Sequence, residues 1–288
     1  MSKIFVSGLV NIEVTCSINN FPIEYCPIEY NFHGVNVGVA GVGYNIAKAM
    51  TALGDEVDIA TIIGNDLMGK TIASEFESCG INTSLMEKKL EKTCTSNILY
   101  DRDGKRKIYC DLKDIQETEY DFSKIDFEKY DIIIACNINY NRQLLKNLKA
   151  SGKTIATDVH VLNDINDEYN REFMEAANIL FLSDEGIQGN PQEFIRQIEN
   201  TYHNDIIVLG QGSKGALMYV KEEDKFYDEP AKKVEKIVNT VGAGDSLFSC
   251  FISSYAKGMT PIEALDKAQA FAAYKIGFDG AANGFKAM

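Results

Sequence analysis

The chain has 288 residues, with 42 Asp and Glu against 29 Lys and Arg, a formal net charge of −13, and no Lys/Arg run that would track a phosphate backbone. Nucleic acid is therefore not an expected partner. At 45% hydrophobic residues the chain suffices for a sizeable α/β core, yet no stretch approaches the roughly 18 uninterrupted apolar residues of a membrane helix.

The N-terminal "MSKIFVSGLVNIEV" runs directly into apolar, β-rich sequence with no cleavable small-residue site after it, which predicts a cytoplasmic protein. In chain order, "KIFVSGL" reads as a strand, "YNIAKAMTALG" as a helix, "EVDIATII" as a strand and "MGKTIASEFESCG" as a helix. Further on, "DIIIAC", "TIATDV", "NILFL" and "DIIVLG" have strand length, separated by the helical patterns "NRQLLKNLKASG" and "PQEFIRQIENTY". Parallel neighbours need crossover connections, so this alternation predicts a mostly parallel sheet with helices on both faces. Two regions break the rhythm: "NIEVTCSI" with "YNFHGVNVGV", and "TCTSNILYDRDGKRKIYCDL", whose alternating runs flank a turn at "RDGK". They predict a small second sheet, a lid with strands within about 10–20, 30–40 and 94–112, attached to one large unit, the whole forming a single domain over 1–288.

Seven scattered cysteines without a C-x-x-C pair predict reduced thiols, and three histidines with no ligand spacing give no zinc signature. Three stretches match phosphate motifs. "IIGNDLMGKT", Ile62 to Thr71, fits a P-loop pattern between a strand and a helix, with Lys70 and Thr71 in place. An anionic Asp66 and the bulky Leu67 and Met68 are poor linings for phosphate, although Asp158 at the end of "TIATD" stands where a magnesium carboxylate would. "GQGSKG", with Gly210, Gly212 and Gly215, has dinucleotide-type spacing but leads into the strand pattern "ALMYV" near the C-terminus. A glycine-rich strand connection is the better reading there. In "NTVGAGDSLFSCFISSYAKG" the apolar residues Leu247, Phe248, Phe251, Ile252 and Tyr255 share one helical face, so a helix begins just after the glycines. Gly242, Ala243 and Gly244 then present bare N–H groups at its positive end, with Asp245 in the first turn.

Taken together, these motifs resemble the ribokinase/PfkB carbohydrate kinase family over nearly the whole chain. "NTVGAGD" is similar to the family's C-terminal D-T-x-G-A-G-D, and "AGVGYNIAKAMTALGDEVDIATIIGNDLMG" to its N-terminal signature, which ends in G-x-D-x-x-G. The apparent P-loop is then that G-x-D-x-x-G turn. The resemblance implies a ribokinase-like, three-layer α/β/α fold with a small β-sheet lid, and an ATP- and Mg²⁺-dependent phosphotransferase acting on a sugar hydroxyl. It implies Asp245 as general base and the N–H groups of Gly242, Ala243 and Gly244 as an anion hole. Asn11, Glu13, Gly41, Gly43 and Asn45, the last as N-cap of the first helix, would hold the sugar. Gly210, Gly212, Ser213, Gly215 and Thr240 would lie beside the nucleotide. Independently, Asn11 and Glu13 are two apart on a strand and share a face, and a carboxylate near a helix N-terminus is expected to stay ionised.

Departures limit the transfer. Asn239 replaces the first Asp of the C-terminal signature, in the neighbourhood that cation-binding members use, which puts potassium activation in doubt. "SDEG" replaces the family's N-x-x-E, leaving Asp184 and Glu185 to organise magnesium through water. Glu13 stands where sugar-binding members usually have Asp. Few cations flank the motifs, Lys48 being the nearest, which favours a neutral sugar over a phosphorylated one. A nucleoside is the alternative substrate, with Tyr100 and Tyr109 as stacking candidates; Arg106 reads as turn-flanking charge ahead of a ligand contact. A P-loop NTPase and a catalytically silent sugar-binding module are the other readings. The open edges of the small sheet suggest a homodimer through the lid.

Overall fold

The computed structural model describes residues 1–102, 105–148 and 151–286. In chain order its elements are β1 (Lys3–Ser7), β2 (Asn11–Ser17), β3 (Val35–Ala40), α1 (Val42–Ala52), β4 (Glu56–Gly64), α2 (Leu67–Ser78), β5 (Met86–Leu90), β6 (Thr95–Tyr100) and β7 (Arg106–Asp111). They continue with β8 (Ile132–Ala135), α3 (Asn141–Leu148), β9 (Thr154–Val161), α4 (Arg171–Ala176), β10 (Ile179–Ser183), α5 (Pro191–Tyr202), β11 (Ile206–Gly210), β12 (Gly215–Val220), β13 (Lys225–Pro230), α6 (Ala243–Ala256) and α7 (Pro261–Lys275). The middle of the expected turn "RDGK", residues 103 and 104, lies outside the described residues.

A nine-stranded sheet runs in the order β13-β12-β11-β10-β9-β8-β1-β4-β5. Its strands are parallel from β5 to β11, and β12 and β13 add on antiparallel at one edge. Alternation along β1 shows how the three layers are built: Ile4 and Val6 join a core with α1, α2, α6 and α7, while Phe5 joins another with α3, α4 and α5. Because successive strand side chains point to opposite faces, a strand buried on both faces, as β1 is at Ile4, Phe5 and Val6, is apolar at consecutive positions. This is the ribokinase-like α/β/α architecture with a mostly parallel sheet.

The second sheet has the order β3-β2-β6-β7. β2 pairs antiparallel with β3 and parallel with β6, and β6 turns back into β7. β2 leaves the large sheet directly after β1, so the small sheet overhangs the carboxyl-terminal ends of the parallel strands. Ligands of open α/β sheets bind at that edge.

Candidate active site

α1 and α6 pack side by side, and their N-termini meet at this edge. Gly242 caps α6 with φ 79°, and a Cβ there would lie 2.3 Å from the carbonyl oxygen of Ala281. Only glycine takes this left-handed turn against a backbone neighbour at no cost. Asp245 follows in the first turn. Its Oδ2 accepts a 2.6 Å hydrogen bond from Asn45 Nδ2, a contact across 200 residues of sequence, while its Oδ1 makes no hydrogen bond among the described residues.

The placement of Asn45 corrects one expectation. The N-cap of α1 is Gly41, with φ 102°, and Asn45 is the fourth residue of the helix, so its side chain is free to reach α6. Gly43 brings α1 close to the turn after β1, since a Cβ on it would meet the Gly8 carbonyl carbon at 2.7 Å. Asn11, the first residue of β2, donates from Nδ2 to Ser96 Oγ on β6 at 3.0 Å. Both asparagines are buried, and the carbonyl oxygens Asn11 Oδ1 and Asn45 Oδ1 have no hydrogen-bond partner among the described residues. A buried acceptor left alone is costly, which makes these two oxygens fitted to the O–H donors of a ligand.

The charges are coupled. Burial pushes the Asp245 carboxyl above the usual range, against the pull of His160 and the Asn45 bond; the charge of Asp158 adds to the rise, and Lys275 opposes it. The expectation that the helix N-terminus would settle its ionisation is thus corrected: desolvation is the larger effect. Glu13 is also raised, by burial and then by the Asp245 charge, with Lys275 again opposing. The C-terminal stretch "FAAYKIGFDGAANG", which the resemblance implies lies beside the nucleotide, contains Lys275, a fully buried lysine ending α7 to which sequence reasoning gave no role of its own. Sequence reasoning also did not place Asp158 and His160 near Asp245. A "TIATD" strand ending in Asp was the available signal for the former pair, whereas a lysine in an amphipathic helix carries none.

The anion-hole donors are not equivalent. The Ala243 N–H already donates to Thr240 O at 3.2 Å, whereas those of Gly242 and Gly244 have no hydrogen bond among the described residues, and Gly244 faces open space. A neighbouring cavity of about 890 Å³ lies between the small sheet and the segments 237–241 and 279–283. Of the residues singled out as site residues from the sequence, Glu13 and Thr240 line it; Asn11, Gly41, Gly43, Asn45 and Asp245 do not. Lys48 also lines it, with its charge committed to Glu75 at 3.2 Å and to Tyr44 Oη at 2.8 Å. Tyr100, Arg102 and Arg106 complete the lid side of the lining, so Arg106 faces the cavity rather than merely flanking a turn.

Gly210 ends β11 and Gly215 opens β12, with Gly212 and Ser213 in the turn between them, at the same edge of the large sheet and outside the lining of this cavity. Asp184, just after β10, donates its N–H to Gly210 O at 2.9 Å, and Glu185 beside it is exposed. No cluster of three or more His, Cys, Asp or Glu placed to hold a metal occurs among the described residues. Two carboxylates at a strand end fit the kind of site Mg²⁺ takes, in which phosphates and water supply most ligands.

The G-x-x-x-x-G-K-T match is structural. Asp66 caps α2 by accepting from Gly69 N at 2.9 Å, and it binds Thr93 through both N (3.1 Å) and Oγ1 (2.6 Å). The N–H groups of Gly64 and Asn65 are taken by Thr93 Oγ1 and Leu90 O, and Lys70 is exposed. The N–H groups of Gly64, Asn65, Gly69 and Lys70 are thus bonded within the turn, and the Asp66 carboxylate at its centre would repel a phosphate.

The description "pfkB family carbohydrate kinase" matches residues 1–288. The chain belongs to that family. Among its relatives, a nucleoside kinase of Methanocaldococcus jannaschii is 24% identical, covering 90% of this chain and 85% of the relative. A 1-phosphofructokinase of Haemophilus influenzae is 25% identical, covering 82% and 80%. The solved structure of a microbiome-derived acarbose kinase is similar in fold, with a TM-score of 0.87 at 20% identity, covering 99% of this chain and 95% of that one. This PfkB protein is an ATP-dependent kinase of the superfamily, and no helix among the described residues is long and apolar enough to cross a membrane.

Proposed function

We propose that this PfkB kinase transfers the γ-phosphoryl group of ATP to a hydroxyl of a neutral sugar, with Asp245 as general base. The observation that carries the reading is the Asn45–Asp245 pair with the two partnerless acceptors beside it. Asn11 Oδ1 and Asn45 Oδ1 accept sugar hydroxyls and orient the ring, with Glu13 as a further contact and Gly41 and Gly43 bringing the backbone close. Asn45 holds Asp245 Oδ2, so the hydroxyl proton passes to Oδ1 as the oxygen begins to bond phosphorus. The Gly242 and Gly244 N–H groups, with the Ala243 N–H shared, stabilise the charge developing on the phosphoryl oxygens. The loop with Gly210, Gly212, Ser213 and Gly215, together with Thr240, lies beside the nucleotide. Asp184 and Glu185 would hold Mg²⁺ through water, and the ion would supply neutralisation of phosphate charge. The small sheet acts as a lid that excludes water from the transfer.

Neutrality is favoured because Lys48 is already paired, and Arg102 and Arg106, although they line the lid side of the cavity, are not among the charges that act on Asp245. A nucleoside is the second reading, since Ile98 and Tyr100 give the cavity a flat apolar wall suited to a base. Asn239 spends its side chain within the turn, on Val241 N at 2.8 Å and Asp279 at 3.1 Å, which supports activity without added potassium. Seven free cysteines fit a reducing, cytoplasmic setting. Val35, Val37 and Tyr109 share one face of the lid sheet and leave exposed apolar surface there, and a second copy of the chain is its proposed occupant. A monomeric mass by light scattering at working concentration would end that part of the proposal.

The test is Mg²⁺-dependent ADP release across a panel of neutral sugars, nucleosides and sugar phosphates, with Asp245→Asn alongside. Turnover stimulated by a neutral sugar and lost in the variant is expected. Stimulation only by sugar phosphates would reject the substrate class, and an active Asp245→Asn would reject the base.

A further inference from the structure

Lys275 is fully buried at the end of α7, and its ammonium donates to the carbonyl of Val241. No carboxylate lies in ion-pair contact with it among the described residues, an arrangement that burial makes expensive. The carbonyl it holds belongs to the turn that opens α6. That turn is braced from the same side by Val238 N to Ile276 O at 2.8 Å and by Gly242 lying against Ala281. Asp245 and Glu13 both feel the Lys275 charge, although they come from α6 and β2.

We propose that Lys275 is a positioning residue for phosphoryl transfer, a resident cation that pins the Val241 carbonyl beneath the anion-hole turn and serves as a counter-charge behind Asp245. The proposal rests on Asp245 acting as the base. The groups that share this field are Asp245 on α6, Glu13 on β2, Asp279 after α7, Asp158 and His160 on β9, and Cys136 after β8. Burial presses the ammonium toward neutrality, to about 8, while Asp245, Asp279 and Glu13 hold the proton on. The sign follows: as pH rises through that value the cation is lost, the Val241 carbonyl loses a charged donor, and Asp245 loses its counter-charge. An arginine at 275 would stay charged over the same range.

The experiment is the pH dependence of kcat/KM for ADP release with the best acceptor of the panel, in the wild type, Lys275→Arg, Lys275→Met and Asp245→Asn. The wild type should lose activity on the alkaline side near pH 8, and Lys275→Arg should lack that fall. Lys275→Met should have its acid limb displaced upward, because the base has lost a nearby positive charge. A purely structural lysine would lower activity without moving either limb. An alkaline fall unchanged in Lys275→Arg, or a Lys275→Met acid limb that coincides with the wild type, overturns the proposal. If Lys275→Met does not fold, the arginine comparison decides. Asp245→Asn separates the two levels: turnover retained there removes the base assignment itself, whereas its collapse with unmoved limbs in the Lys275 variants removes only the role of Lys275.

Discussion

Replacing Asn45 by alanine takes away the side chain that links the two halves of the catalytic pair, and the consequence is calculable from one contact. The 2.6 Å bond from Asn45 Nδ2 to Asp245 Oδ2 has an ionised acceptor, and such bonds contribute about 1.5–3 kcal/mol. That stabilisation belongs to the carboxylate and not to the protonated acid. Its loss therefore displaces the acid limb of kcat/KM upward by about one to two pH units, at about 1.36 kcal/mol per unit. On the plateau, where Asp245 is ionised in both proteins, a second loss remains. The unpartnered Asn45 Oδ1 no longer accepts a hydroxyl, which costs about 0.5–1.5 kcal/mol, or roughly two- to tenfold in kcat/KM. The fold should survive, because alanine is the best helix former and Asn45 makes no capping bond in α1. The assay is coupled ADP release from pH 4.5 to 9 on folded protein, using kcat/KM because it reports the groups of the free enzyme. A plateau loss with the acid limb unmoved would refute the reasoning, since Asn45 would then serve the substrate alone.

Other substitutions probe the surroundings. Asp66→Ala should lower stability by about 1–2 kcal/mol, for the lost α2 cap and Thr93 bonds, as read by denaturant unfolding at pH 7. Burial alone would raise the Asp66 carboxyl, yet the bonds from Thr93 and Gly69 hold it below the usual range. Its contribution is therefore present above the ordinary aspartate value and fades as pH falls through the depressed one, so the gap between variant and wild type should close in acid. Lys70→Ala should leave kcat/KM unchanged, and a collapse there would revive the P-loop reading. Gly242→Ala forces a side chain into a left-handed position against Ala281 O, and kcat should drop about 10²-fold as the donors shift.

The large sheet was legible wherever a strand is buried on both faces, because runs such as "IFV", "IIIA" and "ILFL" are apolar at consecutive positions. The edge strands were not: β5 reads "MEKKL" and β13 "KFYDEP", sequences whose charged residues suit a rim and hide a strand. The helix α7 was overlooked although Thr260, Pro261 and Glu263 spell a capping box with proline at the first position. At the site, each motif was visible but the pairing was not. Asn45 and Asp245 stand in separate signatures, and what joins them is the packing of α1 on α6, which no local pattern encodes. The same holds for Lys275, whose burial depends on the C-terminal segment folding back against the α6 turn.

Glu13→Gln supplies a test of opposite sign to Asn45→Ala. Glu13 is pushed up by burial and then by the charge of Asp245, and an electrostatic coupling between two carboxylates acts on both partners. Removing the Glu13 charge while keeping its shape should relieve Asp245, so the acid limb of kcat/KM should move to lower pH even though a sugar contact has been altered and KM rises. Asn45→Ala removes a donor that favours the carboxylate; Glu13→Gln removes a charge that opposes it. If both variants displaced the limb in the same direction, or Glu13→Gln left it in place, the group titrating in the profile would not be an Asp245 coupled to its neighbours as drawn. Opposite displacements, measured with one acceptor and one nucleotide, would fix Asp245 as the titrating base by two independent contacts on either side of it.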